Sequence, residues 1–352
     1  MTLFILHLAF IKILATAARL RHTSAMLEIR DLSLSVTIQG ESVEAVSSLS
    51  LTLQAGRVLG LVGESGCGKS LTAQSILRLG EHQGVRKSSG DILLDGESLF
   101  EMSDETLRRM RGGRIAMVFQ EPMTALNPVF SIGSQITEVI RLHLDLDQKQ
   151  ATARAELLLS DVGMQDAQQI LKQYPDALSG GMRQRVLIAM AMAADPDYII
   201  ADEPTTALDV SVQKRIIALL LNLQKKRNLG LLLVTHDFGL VAEMCDDVAV
   251  MYAGQVVESG SVSEIFNQPA HPYTRALMGC RPEISEVGHA LPVIGGQVPQ
   301  PGQWPQGCHF ADRCPLAQDD CTQGALMANV WQDGSHIARC LHVSAKPEGD
   351  ES

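Results

Sequence analysis

The octapeptide GESGCGKS, Gly63 to Ser70, sets glycines, a lysine and a hydroxyl at a spacing that suits the grip of a nucleotide polyphosphate with Mg2+. Gly63, Gly66 and Gly68 let backbone N–H groups curl around phosphates without a Cβ in the way. Lys69 adds a point charge for the β and γ oxygens, and the Ser70 hydroxyl can ligate Mg2+. Glu64, Ser65, Cys67 and Leu71 complete the loop and the helix start. Apolar VLGLV (Val58 to Val62) comes before the loop and the apolar-periodic LTAQSIL follows it, so the pattern reads as strand, loop and helix. A chance Gly-rich turn does not account for that order.

Phosphate binding alone does not turn a nucleotide over. DYIIADEPTTALD supplies a second apolar strand that ends in two acids: Asp202, placed to hold Mg2+ through water, and Glu203, able to polarise an attacking water. Upstream, Ser179, Gly180 and Gly181 precede a helix-period run, which makes an anion site from the N–H groups and dipole of a helix start. A second phosphate-binding helix terminus is surplus in a one-site hydrolase. It makes sense when two chains meet head to tail, each completing the other's site.

From about Leu27 to the C-terminus the chain resembles the ATP-binding cassette (ABC) transporter ATPases, with the phosphate loop, the signature LSGGM and the acidic strand in family order. The resemblance identifies Gln120 in VFQEP with the Q-loop, Asp209 in ALD with the D-loop and His236 in LLLVTHD with the switch histidine. It implies ATP and Mg2+ as cofactors, Ser70, Gln120 and Asp202 around the metal, and Glu203, His236 and Gln120 in catalysis. The implied fold is α/β, a P-loop NTPase cassette with a RecA-like core, an antiparallel β subdomain and a helical subdomain at about 121–185. Two departures stand out. Only Val36 or Ile38 occupies the place where the family usually stacks an aromatic on adenine, and the signature ends in Met182, where many members have glutamine.

Phe119 to Ile136, the run LSGGMRQRVLIAMAMA and the tail HPYTRALM (His271 to Met278) resemble the peptide and nickel importer branch. That resemblance implies an importer of dipeptides or oligopeptides, working with a paralogous ATPase, two permease subunits and, indirectly, a periplasmic solute-binding protein. It also places the chain at the cytoplasmic face of a bacterial inner membrane, held there by the permeases. Pro122, Asn127 and Pro128 are expected to keep the segment after Gln120 a shaped loop. Nickel or glutathione import, and a soluble cassette ATPase acting on ribosomes or DNA, are the alternatives.

The cassette is expected over 27–266, closing with a hairpin about Ala253-Gly254 and a helix capped by Ser261 and Glu264. An accessory region follows at 267–352, where Cys308, Cys314, Cys321 and Cys340 are separated by five, six and eighteen residues. ATP hydrolysis implies the cytosol, where structural disulfides are disfavoured, so a thiolate metal site is the sharper reading. Structural zinc tends to use tighter cysteine pairs, and wider gaps suit a larger cluster. The resemblance adds that some dipeptide and oligopeptide ATPases carry a [4Fe-4S] cluster in this region. Zinc and unmetallated thiols stay open. Cys67, beside Lys69 and a helix start, is expected to have a lowered thiol pKa, although a small residue tolerated in the loop is the simpler reading.

With 45% hydrophobic residues and a net charge of -11, the chain can build a large core and is a poor partner for nucleic acid, which needs clustered Lys and Arg. The N-terminal MTLFILHLAFIKILATAARLRH is interrupted by His7 and Lys12 and falls short of a spanning helix. An upstream-extended gene start with Met26 as initiator is favoured over a peripheral amphipathic anchor for residues 1–26.

Overall fold

The computed structural model describes residues 26–206, 208–280, 294–323, 329–330 and 336–342. The N-terminal stretch before Met26 lies outside them.

Three short apolar runs form the centre. β3 (Val58–Val62), β7 (Tyr198–Asp202) and β8 (Gly230–Thr235) are buried at every residue, as strands covered on both faces must be. With β6 (Ile115–Val118) and β9 (Asp247–Tyr252) they run parallel in the order β9-β3-β8-β7-β6. β10 (Gln255–Ser261) adds antiparallel to β9 across the expected turn, with Ala253 at φ 42° and Gly254 at φ 81°. A second sheet is antiparallel throughout. It contains β1 (Met26–Ile38), β2 (Glu41–Gln54), β4 (Arg86–Leu94) and β5 (Glu97–Ser98), in the order β2-β1-β4-β5. Between the sheets, Leu32, Leu34 and Ile92 share one core with Leu61, Val234 and Met251.

The helices are set by their caps and their apolar spacing. α1 (Lys69–Ile76) follows the phosphate loop, and α2 (Asp104–Gly113) precedes β6. α3 (Pro122–Ala125) is a single turn, so Pro122 starts a helix where a loop was expected; at the first helical position its missing N–H costs nothing. The segment beyond it is shaped by Gln135, whose side chain accepts from the Asn127 N–H and donates to the carbonyls of Asn127 and Phe130.

α4 (Ile132–His143) and α5 (Gln148–Asp161) are capped by Ser131 and by an Asp147–Gln150 capping box. Their apolar residues recur every three or four positions, Ile132, Ile136 and Ile140 facing Ala151, Ala155, Leu158 and Leu159. α6 (Ala167–Ile170) leads to α7 (Gly180–Ala191), capped by Ser179. α8 (Val210–Arg227) is capped by Asp209 and α9 (Phe238–Met244) by Asp237, while α10 (Val262–Asn267) carries the expected Ser261–Glu264 capping box. Among the described residues no helix is long and apolar enough to cross a membrane.

The chain after Asn267 is built onto the main sheet. β11 (Asn329–Val330) and β12 (Ile337–Ala338) extend it antiparallel from β10. Glu258 in β10 is 1% exposed, and it accepts from the N–H groups of Ala270 and His271 and pairs with His336 at 2.7 Å. α11 (Pro272–Gly279) then places Tyr273 against Tyr252 and Phe310, with ring centroids 4.6 and 5.3 Å away.

Candidate active site

The phosphate loop joins β3 to α1, and its glycines are required by contacts as well as by turns. A Cβ on Gly63 would lie 2.1 Å from the Met251 carbonyl oxygen. Gly68 has φ 106°, and a Cβ there would sit 2.8 Å from the end of Met251. Lys69 is buried, and its Nζ donates to the carbonyls of Gly63 and Glu64, both at 2.9 Å, which holds the ammonium over the loop. Ser70 Oγ donates to Asp202 Oδ1 at 2.9 Å, so two of the three side chains expected at Mg2+ are already adjacent, while the third, Gln120, donates to Glu203. Burial pushes the Asp202 carboxyl above the usual carboxylate range, against the hydrogen bond from Ser70. A divalent cation would offset that cost.

Glu203 turns off the end of β7 with φ 43°, a left-handed conformation that costs a non-glycine residue about 1 kcal/mol or more and is held by its N–H donating to the Val234 carbonyl. Its Oε2 accepts from Gln120 Nε2 at 3.1 Å and from Thr206 Oγ1 at 2.8 Å, and its Oε1 faces His236 Nδ1 at 3.3 Å. Burial acts to raise the carboxyl's pKa, but the Thr206 and His236 hydrogen bonds, with the charges of His236 and Lys69, bring it below its ordinary value. The carboxylate is therefore ionised and aimed, with three side chains fixing its plane.

A cavity of about 470 Å³ connects these groups: Ser65, Gly66, Lys69 and Ser70 on one side, Gln120 and Glu203 on another. Its apolar lining is Val36, Ala45, Leu71 and Pro301. Val36 thus reaches the cavity, whereas Ile38 is 41% exposed and is not part of its lining.

Ser179, Gly180 and Gly181 are not among the described residues that line this cavity. The Ser179 side chain accepts from the Met182 N–H at the start of α7. A Cβ on Gly181 would lie 2.7 Å from Val212 in the first turn of α8, the helix that Asp209 caps. The signature and the Asp209 corner therefore meet each other rather than Lys69.

The four late cysteines converge. Cys308, Cys314, Cys321 and Cys340 line one small cavity together with His271 and His342. The Leu316 N–H donates to Cys314 Sγ and the His342 N–H to Cys340 Sγ, both at 3.4 Å. His271 Nδ1 accepts from the Tyr273 N–H, which leaves the proton on the buried Nε2, facing the Arg339 backbone. Burial pushes the Cys308 thiol up to about 11, with the neighbouring cysteines adding to the shift. Four cysteines around one cavity, with N–H donors aimed at two of their sulfurs, form a donor set that fits a thiolate-held metal group. Asp320, Cys321 and His342 also bring one ligand atom each within 4.8 Å of one another.

The expectation for Cys67 is corrected. Its side chain is 1% exposed in the core, and burial raises the thiol pKa by more than Lys69 and the loop N–H groups lower it. Proximity to charge does not make a reactive thiol where water is excluded.

Several contributors went unread in the sequence. Thr206, three residues after Glu203, was visible as a hydroxyl in PTTALD. Tyr273 of the HPYT run accepts the Glu64 N–H at 3.0 Å, which ties the tail to the phosphate loop. Pro301, Arg313 and His342 had no local signal, because their contacts span tens to hundreds of residues.

Residues 46–206 match the ABC transporter family, and residues 257–321 match the C-terminal region of oligopeptide/dipeptide transporters. The chain is 45% identical over 298 residues to the oligopeptide transport ATP-binding protein AppD of Bacillus subtilis, covering 85% of this chain and 91% of that one. It is 43% identical over 315 residues to the dipeptide transport ATP-binding protein DppD of the same organism, covering 90% and 94%. Among solved structures, a bacterial ABC transporter cassette determined as a dimer matches with a TM-score of 0.60 at 25% identity, over 67% of this chain and 98% of that one.

Proposed function

Because the chain belongs to the ABC transporter ATPases of the peptide-import branch, we propose that it hydrolyses ATP to drive peptide uptake through permease subunits, with Glu203 as the base. The observation that carries this reading is the Glu203 carboxylate, ionised and fixed by Gln120, Thr206 and His236 beside the cavity that Lys69 and Ser70 enter.

The phosphate loop and Lys69 bind the triphosphate, while Ser70 and Asp202, with Gln120, would hold Mg2+, which screens the phosphate charge when bound. Glu203 would orient and deprotonate the attacking water, and His236, held on its other oxygen, would contact the γ-phosphate. Ser179 and Gly181 lie away from the chain's own Lys69, so they serve the nucleotide held by a second cassette, and hydrolysis reopens the pair. That second cassette is a paralogous ATPase, forming a heterodimer. The exposed Met123, Val129 and Phe130 beyond Gln120 offer the permease a docking edge at the cytoplasmic face of the inner membrane. A periplasmic solute-binding protein delivers the peptide from the other side.

At the tail, Cys308, Cys314, Cys321 and Cys340 would hold a [4Fe-4S] cluster, which would serve as a folding staple for a region with little aliphatic core. The Asp320–Cys321–His342 grouping favours zinc as the second reading. Iron, zinc and acid-labile sulfide should be measured in protein purified without oxygen, alongside Cys314→Ser and Cys340→Ser. Near-stoichiometric iron and sulfide lost in both variants supports the cluster, and zinc in their place overturns it. For the transport reading, the chain reconstituted with its permeases should take labelled dipeptide into vesicles only with hydrolysable ATP. Uptake of nickel or glutathione, with none of peptide, would move the protein to a neighbouring importer class.

A further inference from the structure

A loop that binds a polyphosphate is an unfavourable place for a carboxylate, yet Glu64 is the second residue of GESGCGKS. The structure gives it a dedicated partner from the far end of the chain. Arg313 Nη1 donates to Glu64 Oε2 at 2.7 Å and Nη2 donates to Oε1 at 3.1 Å, a fork on both oxygens. The other donors of the guanidinium are also used. Nε donates to the Gly295 carbonyl at 2.7 Å, Nη2 to Ile294 at 3.3 Å, and Nη1 to the Tyr252 hydroxyl at 3.4 Å. The group lies over the Tyr252 ring, 5.6 Å from its centroid, and the side chain is 6% exposed. Only an arginine offers five donors in this plane. The same residue of the loop is held by its backbone as well, since its N–H donates to Tyr273 and its carbonyl accepts from Lys69.

We infer that Arg313 is a positioning residue of the nucleotide site: it cancels the Glu64 charge and pins the entry of the phosphate loop, so that the C-terminal region sets the affinity for ATP. The chain after the cassette core would then be part of the nucleotide site itself, with Pro301 of the same region lining the cavity. Glu64 neighbours Ser65 and Gly66 of the cavity lining, so its uncancelled carboxylate would repel a triphosphate bound there, and the penalty should grow with the charge of the nucleotide.

The test uses the full chain and equilibrium titration with fluorescently labelled ATP and ADP. Binding by the wild type tests the nucleotide site as such, and the pattern among variants tests Arg313. Arg313→Gln should weaken ATP roughly tenfold and ADP by less, and Arg313→Lys should recover only part of the loss. Glu64→Gln should tighten ATP a few-fold. The double variant Glu64→Gln/Arg313→Gln should regain most of what Arg313→Gln loses, which a merely structural arginine does not allow. Metal content measured on each variant shows that the cysteine site beside Arg313 is intact. If Arg313→Gln does not fold, Glu64→Gln and the double variant decide. The inference is overturned if the double variant binds ATP no better than Arg313→Gln, if ATP and ADP weaken equally, or if Glu64→Gln itself weakens ATP tenfold.

Discussion

Replacing Glu203 with glutamine should stop hydrolysis while leaving ATP bound, and the hydrogen bonds say why the change is so clean. Oε2 accepts from both Gln120 and Thr206, while among the described residues Oε1 meets only His236 Nδ1. A glutamine can put its carbonyl oxygen where Oε2 was and keep both donors. Its amide NH2 then faces His236, whose ring accepts at Nδ1 by moving its proton to Nε2. The network survives, as do Lys69, Ser70 and Asp202, so binding should change by less than about threefold. What is lost is the charge and the proton acceptor, worth about 10²- to 10⁴-fold in the chemical step, or about 3 to 5 kcal/mol of barrier. Single-turnover hydrolysis of radiolabelled ATP, with equilibrium nucleotide binding on the same preparation, measures both parts. A hydrolysis rate within about threefold of the wild type would refute Glu203 as the base, and loss of binding with the fold intact would refute the network.

Two further outcomes rest on separate parts of the fold. Gly254→Ala would put a Cβ 2.4 Å from the Trp304 ring at φ 81°, and should cost about 1 to 3 kcal/mol, read as a lower urea midpoint with shifted tryptophan emission. Asp161 accepts from Lys226 at 2.9 Å and Arg227 at 3.0 Å; burial opposes them, but the two cations hold its carboxyl below the ordinary value. A depressed carboxylate stabilises the fold above its unfolded value and loses that contribution as pH falls through the folded one. Asp161→Asn should therefore lower stability by under about 1 kcal/mol at pH 7, since the pair is partly screened, and by nothing measurable once the pH is well below about 4. Denaturation at the two pH values separates the cases.

Local pattern carried most of the chemistry. The phosphate loop between an apolar strand and a periodic helix, the two acids ending a second strand, and the Ser261–Glu264 cap were legible because each is fixed within about a dozen residues by sterics and hydrogen bonding. The order of those motifs was enough to expect a cassette ATPase, and the four cysteines were enough to expect a shared site. Local rules also misled. Pro122 read as a helix breaker, but a proline at the first helical position starts one. The neighbours of Cys67 pointed to a lowered thiol pKa, even with a small tolerated loop residue as the simpler reading, while its burial depends on how Met251 and the two sheets close over the loop.

Other features depended on the tertiary structure, because they pair groups that the chain holds far apart. Thr206, Gln120 and His236 become one clamp on Glu203 only when β7, β8 and the end of β6 lie side by side. The tail reaches the phosphate loop because Tyr273 packs against Tyr252 and Phe310, and Arg313 lies over Tyr252, which brings both to Glu64 across more than two hundred residues. Sequence spacing specifies what a segment can do alone. Which charge sits beside which is decided by the packing that excludes water from both.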